Sequence, residues 1–150
     1  MILQFQIETC RAIWDEAMPL AQAHWNEISP GGDMDFNSDA LFAMEDNGMI
    51  RCYTARRDGV LAGYLIYLGD ESLYQRGRKI VRDLGLYVAP EFRKGTTAIR
   101  LMKYAEDDLR GVGVAEIFQV IPAGTDSLGR MLNGVGYRHH ETVFKKILKE

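Results

Sequence analysis

The spacing of hydrophobic positions changes several times along the chain, and each change predicts a new element. Near the N-terminus, "LQFQI" alternates apolar and polar residues, which is typical of a half-buried strand. Thr9 then precedes a long run with apolar residues three or four positions apart, which predicts a capped helix, and Pro19 is expected to kink that helix or break it in two. Asn37 or Ser38 can cap a shorter helix over Asp39 to Asp46.

After Gly48 the pattern becomes strand-like. "MIRCYTAR" and "VLAGYLIYL" are joined by "RDG", which predicts a hairpin, and "KIVRDLGLYV" predicts a further strand. A helix is expected from about Thr97 to Arg110, ended by Gly111 and Gly113, followed by a strand in "AEIFQVI", a short helix in "TDSLGRMLNGVGY" and a last strand in "HHETVFKKIL". The order predicts an α/β (α+β) protein of one domain, residues 1–150, whose mixed, mostly antiparallel central sheet is flanked by about four helices.

Composition narrows the function classes. The 150 residues carry a formal net charge of -3, so no general basic field favours nucleic acid. Cys10 and Cys52 lack metal-ligand spacing, and the sequence predicts no metal site; we expect buried thiols in a reducing compartment. No apolar run approaches the roughly 20 residues of a membrane span, and no secretory signal pattern opens the chain. A cytoplasmic protein is therefore expected.

The most informative stretch is "YVAPEFRKGTTAIRLMKYAE", where a predicted strand hands over to a predicted helix. We call residues 93–98 of this stretch the anion loop. Backbone N–H groups at a helix N-terminus, two cations at Arg93 and Lys94, the glycine at 95 and two threonine hydroxyls suit a pyrophosphate. A solvated turn with two surface cations and a threonine cap is the alternative, and the loop alone leaves both open.

The same stretch resembles the central motif of the GNAT superfamily of acyl-CoA-dependent N-acyltransferases. That motif is a strand ending in Val-x-Pro, then Arg/Gln-x-x-Gly-x-Gly/Ala, then a helix with paired apolar residues and a Glu. The resemblance continues in order through the early helices, the hairpin, "GVAEIFQVI" and "GRMLNGVGYRHHETVFKKIL". More narrowly, "HWNEI" and "YTARRDGVLAGYLIYL" are similar to small GNAT-like proteins of phage genomes, which implies host cytoplasm as the location.

The resemblance implies acetyl-CoA as acyl donor and direct attack on its thioester by a primary amine, without a covalent enzyme intermediate. The implied donor-binding residues are the strand amides and the anion loop: Leu86, Tyr87, Val88, Arg93, Lys94, Gly95, Thr96, Thr97 and Ala98. Gly85 marks either a bulge that opens the sheet or a packing requirement. The chain departs from the family at Thr96, where glycine is usual, and at Leu132, where many members carry a tyrosine that protonates the departing thiolate.

Removal of a proton from the attacking ammonium requires a base. Asp83 is the first candidate, because it precedes the implied thioester site; its alternative is a surface carboxylate paired with Arg82 or Lys79. His24 and Glu27 share a helix face and could line an acceptor pocket. Tyr74, before the motif strand, could act as an acid or line that pocket, although an ordinary loop tyrosine is the default.

The acceptor stays open among small molecules, peptide termini, lysines and modified nucleobases. Asp33 and Asp35 lie in the loop that shapes acceptor access in the family, which favours a cationic amine, although turn formation explains them as well. Dimers are common in the fold, so a homodimer is among the expected partners. Because of Thr96 and Leu132, a rival interpretation is a non-catalytic GNAT-fold protein of a phage, acting through protein contacts with weak or no CoA binding.

Overall fold

Five strands form one sheet in the computed structural model, which describes residues 2–29 and 31–149. The elements are, in chain order, β1 (Leu3–Ile7), α1 (Cys10–Ile28), α2 (Ser38–Asp46), β2 (Ile50–Arg57), β3 (Val60–Glu71), β4 (Lys79–Val88), a 3-10 turn (Pro90–Phe92), α3 (Thr97–Gly111), β5 (Val114–Phe118) and α4 (Asp126–Gly134). The sheet order is β1-β2-β3-β4-β5, antiparallel except for the parallel pair β4-β5. The predicted mixed, mostly antiparallel sheet and four helices are confirmed.

The local predictions hold where short-range chemistry decides them. Thr9 accepts a hydrogen bond from the Ala12 N–H and caps α1, and Asn37 caps α2 in the same way. Asp58 and Gly59 have φ of 51° and 80°, the left-handed pair of a two-residue hairpin turn between β2 and β3.

One prediction is wrong and one stays open in part. Helix α1 continues through Pro19, so the proline does not break it in two, while a kink there stays a prediction; the proline is exposed, so water can satisfy the carbonyl that loses its N–H partner. The segment after α4 forms no strand within the described residues, and its apolar side chains Val143, Phe144 and Leu148 are exposed. Its alternation is strand-like, but a strand also needs a partner edge, which the pattern does not supply.

The chain divides into two compact units, one up to Val120 and one from Ile121 onward. The first contains the whole sheet with α1, α2 and α3, and the second contains α4. A single domain over 1–150 stays a prediction.

Helices α1 and α2 cover one face of the sheet, and a buried apolar cluster joins them to β2 and β3: Cys10, Ile13, Ala17, Leu41, Cys52 and Leu61. Both cysteines are buried free thiols, as expected. Glu45, near the end of α2, accepts hydrogen bonds from the first backbone N–H groups of α1, at 2.7 Å from Cys10 N and 3.1 Å from Arg11 N. This contact ties the start of α1 to the end of α2 and satisfies two N–H groups that have no partner within the helix.

Helix α3 covers the opposite face. Its buried apolar side is Leu101, Met102, Ala105 and Leu109. Asp108 accepts hydrogen bonds from Arg51 Nε and Tyr53 Oη, both at 2.6 Å, and the Arg51 guanidinium holds the pKa of Asp108 below its usual value. These bonds tie the C-terminal end of α3 to β2.

Candidate functional site

The sheet opens at the C-terminal end of β4. Backbone pairing between β4 and β5 stops at Arg82 and Phe118, whereas β4 continues for six more residues to Val88. Along that stretch, alternate N–H and C=O groups on the β5 side have no ladder partner within the described part of the chain. Such an edge can bind an extended ligand by backbone hydrogen bonds.

A β-bulge interrupts β4 at the same point. Tyr67 pairs with Asp83 and Ile66 pairs with Gly85, so Leu84 is the extra residue. Leu84 and Gly85 both line a cavity under α1 and α2, whereas Asp83 does not. The bulge proposed from Gly85 is therefore present, and it sends Asp83 away from that cavity.

The Asp83 carboxylate holds the end of β5. It accepts hydrogen bonds from Val120 N at 2.7 Å and from Gln119 Nε2 at 3.0 Å, and Gln119 Oε1 in turn accepts one from Tyr67 Oη at 2.8 Å. Burial raises the pKa of Asp83 to about 6, although the Val120 N–H opposes the rise. The side chain is desolvated as predicted, but its contacts are with β5 and not with an acceptor pocket.

The anion loop joins the 3-10 turn to α3. Gly95 has φ of 79°, and a Cβ there would meet only open space. The Thr96 side chain makes no capping hydrogen bond, and the first turn of α3 contains no acidic residue. Its backbone N–H groups and the exposed Thr96 hydroxyl are thus not claimed by a carboxylate of the helix itself, which leaves them available to an anion, whereas the Thr97 side chain is buried.

The Arg93 side chain is already engaged. Its Nε donates to Val88 O at 2.7 Å, and its Nη2 donates to both carboxylate oxygens of Glu27 on α1, at 2.8 and 3.0 Å. The guanidinium also lies 5.1 Å from the centre of the Tyr87 ring. Arg93 and Glu27 therefore act as a bridge from α1 to the end of β4, and Lys94 is a second exposed cation of the loop.

A cavity of about 700 Å³ lies between α1, α2, the connection over residues 33–37, and strands β3 and β4. We call it the α1–α2 cavity. Apolar side chains, among them two tryptophans and three methionines, form most of its wall, and Asp33, Asp35, His24 and Tyr64 also line it. Two of the sequence-predicted groups, His24 and the Asp33–Asp35 pair, are thus brought together around one space.

His24 lies where the cavity meets the bulge. Its Nδ1 is 3.0 Å from Tyr64 Oη, and its ring stacks on Tyr87 with centroids 5.0 Å apart. A Cβ built on Gly85 would lie 3.4 Å from His24 Cε1 and 3.7 Å from a ring carbon of Tyr64. Burial lowers the pKa of His24, so the imidazole is neutral at pH 7, and burial raises the pKa of Tyr64, so its hydroxyl stays protonated.

The remaining sequence candidates lie elsewhere. Tyr74 is 98% exposed in the turn before β4 and does not line the α1–α2 cavity, so it does not line the pocket as predicted. Leu132, in α4, is buried. Sequence reasoning missed Tyr64, because a tyrosine in the apolar run "VLAGYLIYL" carries no signal of its partner His24, 40 positions away.

Two searches of the described residues concern other functions. None of the helices there is both long and apolar enough to cross a membrane. No group of three or more His, Cys, Asp or Glu side chains in that part of the chain is arranged to hold a metal ion.

Comparison with known proteins gives a consistent result. Residues 5–130 match the family model described as "Acetyltransferase (GNAT) family". No curated protein matches the chain. Among solved structures, a ribosomal-protein-alanine N-acetyltransferase from Brucella melitensis biovar Abortus 2308 aligns with a TM-score of 0.75 and 14% identity, over 99% of this chain and 100% of that one.

Two further structures add ligands to the comparison. An aminoglycoside acetyltransferase from an uncultured soil metagenomic sample, in complex with sisomicin, has a TM-score of 0.78 and 14% identity over 98% of this chain and 97% of that chain. A predicted acetyltransferase with acetyl-CoA from Clostridium acetobutylicum has a TM-score of 0.74 and 10% identity over the same shares. At these identities the likeness establishes the fold.

Proposed function

Because the chain belongs to the GNAT acetyltransferase family, we propose that it transfers an acetyl group from acetyl-CoA to a primary amine by direct attack. The observation that carries this proposal is the unpaired edge of β4 after Arg82, which lies between the anion loop and the α1–α2 cavity. The edge can hold an extended donor, the loop can hold its phosphates, and the cavity can hold an acceptor.

The residues present fit the phosphates of acetyl-CoA. Gly95 gives the loop a left-handed turn with open space above it, and the first turn of α3 offers N–H groups without an acidic competitor. The backbone amides of residues 93–98 and the exposed Thr96 hydroxyl would hold the pyrophosphate. The N–H groups of Leu86 and Val88 alternate toward the free edge and would hold the pantetheine and polarise the thioester carbonyl, whereas the N–H of Tyr87 faces β3.

Acetyl-CoA supplies an activated acetyl group, and the chain must deliver a neutral amine to it. His24 is the base that the geometry favours, since it is neutral, lines the cavity and lies beside Gly85. With Nδ1–H donating to Tyr64 Oη, the lone pair on Nε2 can accept the proton of the ammonium. The amine nitrogen then forms its bond to the acetyl carbon as the carbon–sulfur bond breaks.

The leaving sulfur has to receive a proton. Leu132 has no proton to give, so the tyrosine of other family members has no counterpart at that position. The side chains nearest a Cβ built on Gly85 are those of His24 and Tyr64. We assign the return of the proton to this pair: His24, protonated by the ammonium, gives that proton to the leaving sulfur, and the second proton lost by the nitrogen as it becomes an amide passes through His24 to solvent.

Thermal unfolding with acetyl-CoA, desulfo-CoA and ATP tests the donor site. At one hundred times the dissociation constant, a ligand that binds only the folded state stabilises it by about 2.7 kcal/mol. For a chain of this length the midpoint should rise by roughly 5–10 °C with both CoA compounds. ATP should give no comparable shift. Absence of a shift at millimolar acetyl-CoA would overturn the proposal and favour a protein that works through partner contacts.

A matched pair of variants separates donor binding from backbone strain. Gly95→Val and Gly77→Val each place a β-branched residue at a φ near 80° with open space around it, and Gly77 lies in the turn before β4. Both should lower stability by a similar amount, on the order of 1–3 kcal/mol. Only Gly95→Val should also abolish the stabilisation by acetyl-CoA.

A further inference from the structure

The α1–α2 cavity is too large to be a packing defect. Protein interiors are close-packed with few voids larger than a water molecule, and ligand pockets usually measure about 300–1,000 Å³. A space of about 700 Å³ in a chain of 150 residues is therefore large enough to hold a small molecule. Its chemistry then decides what it binds.

The wall is apolar and aromatic. Six side chains set its character: Trp14, Met18, Trp25, Met34, Phe36 and Met44. The rings of Trp14 and Phe36 meet edge to face with centroids 5.0 Å apart, and methionine adapts to irregular apolar shapes. Burial of an aromatic or branched aliphatic group against such a wall is favourable, because it removes apolar surface from water.

Hydrogen-bonding capacity in the wall is small. The Trp25 indole N–H already donates to Gly32 O at 3.0 Å, and the Asn37 side chain already caps α2. A polyhydroxylated acceptor, of the class bound by the metagenomic aminoglycoside acetyltransferase, would lose the water on many hydroxyls without gaining partners.

Charge in the wall is negative. Asp33 and Asp35 line the cavity, and neither makes an ion pair within residues 2–29 and 31–149. The two carboxylates attract a cation, which favours an amine over an acyl chain as the occupant, because an acyl chain carries no positive charge. His24 is available to take the proton once the amine reaches Gly85.

We propose that the acceptor is a primary amine with an aromatic or branched aliphatic body, held in the α1–α2 cavity. This rests on the proposed acetyl transfer for its chemistry, but binding of the amine does not require acetyl-CoA. The natural acceptor is then recognised by its apolar body and by one ammonium group.

The chain reports this binding itself. It contains two tryptophans, and both Trp14 and Trp25 line the cavity. Tryptophan fluorescence, excited at the red edge, is therefore titrated with 2-phenylethylamine, with 2-phenylethanol as the uncharged analogue and with neamine as the polyhydroxylated amine. We expect a saturable change with 2-phenylethylamine, a weaker one with 2-phenylethanol and none with neamine.

Matched variants locate the site. Ala21→Phe fills the cavity from α1, whereas Ala12→Phe makes the same change on an exposed, non-lining position of the same helix. Ala21→Phe should weaken amine binding by at least about tenfold and leave the stabilisation by acetyl-CoA unchanged; Ala12→Phe should leave both unchanged. Replacing Asp33 and Asp35 by Asn should weaken binding of the amine by about three- to tenfold and that of the alcohol not at all.

The outcomes separate the two proposals. Loss of acetyl-CoA binding with amine binding intact sinks the acetyl transfer and keeps the cavity assignment. Saturable binding of neamine, with no response to 2-phenylethylamine, would overturn the acceptor class while the donor site stands. A fluorescence change with octanoyl-CoA that exceeds that of any amine would assign the cavity to an acyl chain and would likewise overturn the proposal that it holds an amine acceptor.

Discussion

Replacing Asp83 by Asn should alter how stability depends on pH. Asp83 holds the end of β5 through Val120 N and Gln119 Nε2. An asparagine keeps these contacts if its amide oxygen accepts from Val120 N and its nitrogen donates to Gln119, whose amide then turns to donate to Tyr67 Oη. The substitution therefore removes a titrating group and keeps the hydrogen bonds.

The size of the effect follows from the raised pKa. Asp83 has a pKa of about 6 in the folded chain and an ordinary value of 3.8. A raised pKa stabilises the folded state fully below 3.8, and that contribution is lost as the pH rises through about 6. Linkage gives about 1.4 kcal/mol at pH 5 and close to zero at pH 8, which corresponds to a change of about 3–6 °C in the unfolding midpoint.

Urea unfolding of the wild type and Asp83→Asn at pH 5 and pH 8 measures the effect. The unfolding free energy of the wild type minus that of Asp83→Asn should be about 1.4 kcal/mol larger at pH 5 than at pH 8. Asp15→Asn, an exposed position on α1, is the control and should show no such movement. If the unfolding free energies of the wild type and Asp83→Asn differ by the same amount at both pH values, the reasoning is refuted, since the carboxylate would then not be desolvated in the folded chain.

Three further predictions concern the site and its support. His24→Gln should lower kcat by about a hundredfold and remove the acid limb of the pH–rate profile, which in the wild type should fall below pH 6.5 because burial lowers the pKa of His24. Glu27→Gln should lower the unfolding free energy by less than about 1 kcal/mol in urea, since its pair with Arg93 is half-exposed, but should raise the acetyl-CoA dissociation constant in calorimetry. Arg51→Met should cost about 1–3 kcal/mol in urea, because it leaves the Asp108 carboxylate without its cation.

Two variants serve as controls for these predictions. His139→Gln changes an exposed histidine and should leave the pH–rate profile as it is; a retained acid limb in His24→Gln would assign the base to another group. Arg110→Met removes exposed ion pairs within α3 and should change the unfolding free energy by less than about 0.5 kcal/mol. If Arg51→Met lowers the unfolding free energy by no more than Arg110→Met does, the Asp108 contact contributes no more to stability than an exposed ion pair.

Much of the fold was predictable because local chemistry decides it. Thr9 and Asn37 cap helices, and Asp58–Gly59 turns a hairpin, through bonds or dihedral angles within three residues. The start of α3 at Thr97 was predictable for the same reason, because an amphipathic run begins directly after Gly95, while binding of an anion by the loop stays a prediction.

The arrangement of the site depends on distant partners, which spacing cannot supply. Glu27 was predicted to line a pocket, but it bonds to Arg93, 66 positions away. Asp83 was chosen as a base candidate because it precedes the implied thioester site on the motif strand, and the bulge at Leu84 puts Asp83 and Gly85 on different faces. The predicted last strand lacked a known edge on which to pair, so its pattern alone was insufficient.

The bulge at Leu84 also bears on how such a site can evolve. On an uninterrupted strand, residues 83, 85 and 87 would share one face, and Asp83 would reach the same space as Gly85. The face of the sheet on which a β4 side chain lies is thus set by the position of the residue in the strand register and not by its type. One residue added to β3 opposite Leu84 would close the ladder and turn Asp83 to the face of Gly85 in a single event, whereas deletion of Leu84 would leave the two on opposite faces, as would any point substitution at Asp83. Changes in which acidic or basic residues of this strand face the cavity are therefore expected to coincide with gaps in alignments of related chains.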